Sequence, residues 1–204
     1  MFERDYIMRM LTSFTAVVAQ LMGLKKEMKH EQVFVVVNET LEKYFRLNSK
    51  MIQSLSDRDL LNLLKINEEL DNEKAITIAY LLKAEGESYE AIGSADESYK
   101  RYLMALTLYL AAVQNDAYVD VINFHFEIDD LLEKLQIYEL PINFKHQLFD
   151  YFNKVERYDA AEDILFELVE DDLSPGNPDL SQKGIRFYNR LLQKEDFELL
   201  AGGL

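Results

Sequence analysis

The chain has few places to turn sharply. Only seven glycines and three prolines occur in its 204 residues, and folds rich in strands need frequent tight turns that draw on both. Long helices joined by short links are what such a composition permits, and the apolar residues agree. Ile7, Leu11, Phe14, Val18 and Leu21 step by 4, 3, 4 and 3, which sets them along one helical face and predicts a helix from about Phe2 to Lys26. In "EQVFVVVNETLEKYFRLN" the β-branched run Val33–Val37 suits a strand. Phe34, Val37, Leu41, Tyr44 and Phe45 share a helical face, however, and no second strand offers a partner, so a helix is expected.

Cap and breaker residues mark the remaining elements. Ser56, followed by Asp57 and Asp59, reads as the N-cap of a short helix whose dipole favours carboxylates in its first turn. A longer helix is expected from Asn72. Gly93, Ser94 and Asp96 supply a turn and cap before its partner, "ESYKRYLMALTLYLAAV". After Asn115, one bent helix or two short ones should end before Pro141, which disfavours helix at the residue preceding it. "INFKHQLFDYFNKV" and "YDAAEDILFELVED" form another hairpin across Glu156–Arg157. "SPGNPD" is the clearest break, and Pro178 suits the first turn of a last long helix. "KEDFELL" adds a short one, and the glycines before Leu204 are expected to fray. Nine or ten helices with short links make an all-α protein with antiparallel neighbours.

The bulk numbers narrow the function classes. A 49% hydrophobic content is enough for one sizeable core and one continuous domain. With no cysteine, disulfides, thiolate metal sites and cysteine nucleophiles are excluded. "MFERDYIMRM" has acidic residues where a secretory signal needs a basic region, and no apolar run approaches a membrane span. A cytoplasmic protein is the simplest reading. The net charge of −15 repels nucleic-acid phosphates and anionic lipid, so neither nucleic acid nor membrane is expected as a partner. The charge is uneven: residues 1–50 hold 8 basic and 6 acidic groups, the remainder 14 and 31. The weakly basic part complements the acidic one, its own or a second copy's, unless the charges serve solubility alone.

Catalytic motifs are absent from the sequence. The histidines are His30, His125 and His146, with neither an H-E-x-x-H nor an H-x3-H pair. Glu27-x2-His30 is half of a di-iron motif and has no second copy. His125-x-Glu127 lacks the cysteines of a zinc deaminase. No phosphate-binding glycine loop and no G-x-S-x-G occurs. Glu167, Glu170, Asp171 and Asp172 read as a solvated helix end. No metal or cofactor is expected.

Small residues at helix crossings are the positive signal. Leu82, Gly86 and Tyr89 stand at the spacing of the Trp, Gly and Tyr of a tetratricopeptide first helix, and Ser98, Tyr102 and Ala105 take the places of its second. A mid-helix glycine costs about 1 kcal/mol relative to alanine, so Gly86 implies the close approach of a neighbouring backbone. Leu148, Phe152, Tyr158, Ala161 and Leu165 repeat the pattern less well, with Phe149 where a glycine would be. Ser98 and Ala161 lie 63 residues apart, against about 68 for two ideal periods; a shortened, divergent unit around residues 115–138 accounts for the difference. The chain thus resembles tetratricopeptide-like helical-repeat proteins. Through "RDYIMRM", "YELP" and "YDAAEDILFELVE" it is also similar to a family of uncharacterised bacterial proteins of about 200 residues, which carries no activity with it.

The resemblance implies antiparallel hairpins stacked as a short right-handed solenoid. Extra N-terminal helices occupy 1–66, repeats 67–173, and a C-terminal capping helix and tail 174–204. It implies a non-enzymatic scaffold whose groove takes a protein or peptide, with Tyr80, Lys83, Glu87 and Glu90 facing it from the first unit and Asn143, His146, Asp150 and Asn153 from the second. The acidic body favours a partner with a basic segment. Two alternatives stand beside this reading: a homodimer formed through Ile7, Leu11, Phe14 and Val18 of the first helix, and a helical-bundle enzyme whose site is assembled from residues distant in sequence.

Overall fold

Helical spacing is realised across most of the described residues. A computed structural model describes residues 2–115, 123–171 and 178–204, of which 2–13 as backbone only, and holds eleven helices among them. The chain divides into two compact units, Met1–Ile137 and Tyr138–Leu204, and the division falls inside the stretch read as repeats. Most of "SPGNPD", the segment between Asn115 and Asn123, and the side chains of Ile7 and Leu11 lie outside the described residues.

The first unit contains α1 (Phe2–Lys26), α2 (His30–Phe45), α3 (Ser49–Gln53), α4 (Asp57–Leu63), α5 (Asn72–Ala91), α6 (Ala95–Gln114) and α7 (Phe124–Leu135). Its centre is α5, which packs against α6, α2, α1 and α7. Every residue of α5 from Ala75 to Gly86 is buried, as a helix surrounded on all sides requires. The α5–α6 hairpin closes at Gly93, whose φ of 79° suits glycine. Ser94 takes the N-cap position of α6, but its side chain makes no capping bond. Gly86 does mark a close approach, to a ring rather than to a backbone: a Cβ there would lie 2.7 Å from Cε1 of Tyr102. Ser98, Tyr102 and Ala105 are all buried in this hairpin.

Ser56 caps α4 by accepting the Asp59 amide at 3.2 Å, and Asp71 caps α5 by accepting that of Lys74 at 3.1 Å. Val33–Val37 belongs to α2, with Val33 and Val37 fully buried. Between α4 and α5 the expectation of no strands needs correcting. β1 (Lys65–Ile66) and β2 (Glu69–Leu70) pair antiparallel around Asn67 and Glu68, whose φ of 52° and 69° fit a type I′ turn. Met28, Arg46 and Glu156 also turn the chain with positive φ. Non-glycine residues in strained turns are how so glycine-poor a chain reverses direction.

The second unit contains α8 (Ile142–Lys154), α9 (Tyr158–Asp171), α10 (Pro178–Leu191) and α11 (Asp196–Ala201). α8 and α9 form its hairpin, burying Leu148, Phe152, Tyr158, Ala161 and Leu165. The C-terminal glycines do not fray. The Gly202 carbonyl accepts the Tyr158 amide at 2.8 Å and the Asp159 amide at 3.1 Å, two donors that open α9 and have no partner within the helix. No helix among the described residues is long and apolar enough to cross a membrane.

Candidate functional site

Among the described residues, a cleft of ligand size lies in each unit. In the first unit, three helices contribute stripes at helical spacing: Val18, Met22 and Lys25 from α1, Tyr80, Lys83, Ala84 and Glu87 from α5, and Asn123, Phe126, Glu127 and Asp130 from the start of α7. They enclose about 290 Å³. Ion pairs tie the walls together. Lys25 meets Glu87 at 2.5 Å, and Lys83 meets Glu127 at 2.5 Å and Asp130 at 2.6 Å. The Lys83 side chain is only 6% exposed; burial works against its charge, but bonds to Asp130 and Glu127 outweigh it and hold the ammonium's pKa above its ordinary value. Burial, with Glu127 and Glu87 nearby, pushes the Tyr80 hydroxyl up to about 12. Tyr109 of α6 is fully buried, its hydroxyl meets no hydrogen-bond partner among the described residues, and burial raises its pKa well above normal. At neutral pH both phenols therefore keep their protons. Met22 and Phe126 stand 59% and 63% exposed at the edge.

The second unit's cleft, about 340 Å³, lies between α8 and α10. Phe149 and Phe187 meet edge to face at its base, 5.5 Å between centroids. Lys183 pairs with Asp150 at 2.8 Å and sits 4.8 Å over the Phe149 ring. Arg190 donates to the carbonyl and side-chain oxygens of Asn153. Burial and the Lys183 ammonium hold His146 below the ordinary imidazole range, against a smaller opposing pull from Asp150.

The family model described as a family of unknown function (DUF6483) matches residues 1–204. The chain belongs to the DUF6483 family. Searches of curated proteins and of solved structures give no match.

In this DUF6483 chain the residues read from sequence distribute unevenly. Tyr80, Lys83 and Glu87 share the first cleft. Glu90 lies beyond its lining and accepts the Tyr102 hydroxyl at 2.6 Å. Asp150 and Asn153 share the second cleft; His146 touches its edge through a carbonyl 3.5 Å from Lys183, and Asn143 is exposed a turn earlier. Phe14 is buried and packs edge to face on Tyr80 at 5.8 Å, while Val18 lines the first cleft. The α1 face is thus engaged within its own unit at both residues. The walls from α1 and α7, and the cations Lys183, Arg186 and Arg190 of α10, were not foreseen. The last three had a signal, a 3-then-4 spacing of cations on one helix.

Among the described residues no group of three histidine or acidic side chains is placed to hold a metal ion. What the first cleft offers is an apolar edge above fixed charges and the Tyr80 hydroxyl.

Proposed function

We propose that this chain is a non-enzymatic, cytoplasmic scaffold of the tetratricopeptide-like type, its hairpins stacked as a short right-handed solenoid, which binds a protein or peptide segment. The observation that carries the reading is the stripe Tyr80, Lys83 and Glu87, which lines a cleft between α1, α5 and α7 beneath the exposed Met22 and Phe126. Gly86 against Tyr102, with Ser98 and Ala105 buried beside them, supports the hairpin pattern. Apolar anchors around a partly charged pocket are the usual makings of a peptide site. Three carboxylates against two ammonium groups at the cleft favour a partner segment with an apolar residue flanked by basic ones.

A photo-crosslinking residue at position 126 tests this. The expected result is a discrete partner captured from native lysate and lost when Met22→Asp and Glu87→Lys are introduced, with helicity unchanged by circular dichroism. Capture that is indifferent to both substitutions removes the cleft from the proposal.

A further inference from the structure

The second unit is acidic, with 14 acidic and 7 basic residues between Tyr138 and Leu204. Its cleft has the opposite character. Lys183, Arg186 and Arg190 line it, and of the 14 acidic residues only Asp150 does. The three cations stand three and four residues apart on α10, a spacing at which like charges repel. Lys183 and Arg190 are anchored on α8, by Asp150 and by Asn153. Arg186 is exposed, makes no ion pair among the described residues, and donates from Nε only to the Gln182 carbonyl of its own helix at 3.2 Å. One free guanidinium thus stands between two fixed cations over a phenylalanine pair.

We propose that the α8–α10 cleft is a docking site for a short acidic peptide segment, with Arg186 as the residue that takes its carboxylate. A guanidinium grips a carboxylate through two parallel hydrogen bonds, and Lys183 and Arg190 attract further negative charge without having to move. A cleft of about 340 Å³ admits one or two side chains. Nucleic acid fits poorly. Its regularly spaced phosphates would extend past the three cations onto a surface of excess carboxylate, whereas two or three acidic side chains match the cations available. This site is separate from the first unit's cleft and prefers the opposite charge, so each is tested without the other.

Fluorescence anisotropy on the full chain decides it, using a labelled peptide that alternates glutamate with phenylalanine and alanine, and its glutamine counterpart. The glutamate peptide should bind at least about tenfold tighter, with the gap closing as salt is raised. Arg186→Ala should weaken it about tenfold, as expected for loss of a charge-assisted bond. Arg186→Glu should abolish binding, and Arg186→Lys should fall between wild type and Arg186→Ala. Arg186 is exposed, so circular dichroism should be unchanged in all three. Met22→Asp should have no effect, which separates this site from the first cleft. Equal binding of the two peptides, or indifference to Arg186→Ala, overturns the proposal. So does displacement of the glutamate peptide by inorganic phosphate or an RNA oligonucleotide at lower concentration than by unlabelled peptide.

Discussion

The two hairpins, α5–α6 and α8–α9, bury their residues to different extents. α5 is surrounded by four helices and buried along most of its length. α9 buries only Tyr158, Ala161, Leu165 and Leu168, a single stripe. Polar residues on α5 must therefore find partners inside the protein. Glu85 bonds Arg101 Nε at 2.5 Å and the Ser49 hydroxyl at 2.6 Å, with both charged side chains under 5% exposed. Lys83 finds Glu127 and Asp130. In the second unit Lys145 is equally buried, but its partners reach it from solvent: Glu139, Glu167 and Asp171 are 80%, 50% and 38% exposed. A surrounded helix makes its charges part of the core, whereas the α8 lysine is met by carboxylates that remain at the boundary with water.

The largest expected effect follows from that contrast. Glu85→Ala leaves Arg101 buried with no carboxylate nearer than that of Glu97, 4.0 Å from its Nη1, and should lower the unfolding free energy by about 3–5 kcal/mol. Replacing both, Glu85→Leu with Arg101→Met, should restore most of the loss, because a buried pair gains little over a well-packed apolar one. Lys145→Met keeps the buried stem and removes only a charge with solvated partners, so about 1 kcal/mol is expected. Denaturant unfolding of the three variants measures this. Equal costs for Glu85→Ala and Lys145→Met would erase the distinction between the hairpins.

Much of the fold was legible because it is local. The ends of α1, the Ser56 cap, the start of α5 at Asn72 and the Pro178 start of α10 follow from spacing and caps within a few residues. α3 has five residues, too few to show a period, and the Asn67–Glu68 turn lacks the glycine that usually signals it. The C-terminal glycines read as a loose end because nothing local shows that Gly202 caps α9. The site divides the same way. The stripe on α5 came from the resemblance, and its partners are remote: Lys25 reaches Glu87 across 62 positions, and Lys83 reaches Glu127 across 44. Pairings of that range depend on packing, which one helix's sequence does not encode.

A middle-sized effect tests the glycines. Gly86→Ala would press a methyl group against the Tyr102 ring, with Arg101 Cβ at 3.1 Å, and should cost about 1–3 kcal/mol. Gly202→Ala would overlap the Tyr158 ring and lie 2.7 Å from the Glu156 carbonyl, a loss of the same order in the second unit. Gly23→Ala in α1 meets nothing within 4 Å and should stabilise by up to about 1 kcal/mol through helix propensity. Thermal melts of the three should move in those directions. A neutral Gly86→Ala would mean that the α5–α6 hairpin is not closely packed there.

The smallest effect concerns His146, which probes charge in the second cleft without unfolding anything. Its imidazole is held below the ordinary range first by burial and then by the Lys183 ammonium, with Asp150 pulling the other way. Lys183→Gln removes the second cause and leaves the first, and it frees Asp150 from its ion pair. The His146 pKa should therefore rise only part of the way back, as followed by NMR titration of its ring proton. The sign carries through to stability. The unfolded chain binds this proton more tightly than the folded one, so the residue's contribution falls as pH drops through the imidazole range and is recovered above it. Lys183→Gln should flatten that slope. A His146 that titrates at its ordinary value in the native chain, or that ignores Lys183→Gln, would show that the α10 cations do not bear on α8, and the contrast in charge between the two clefts would lose its footing.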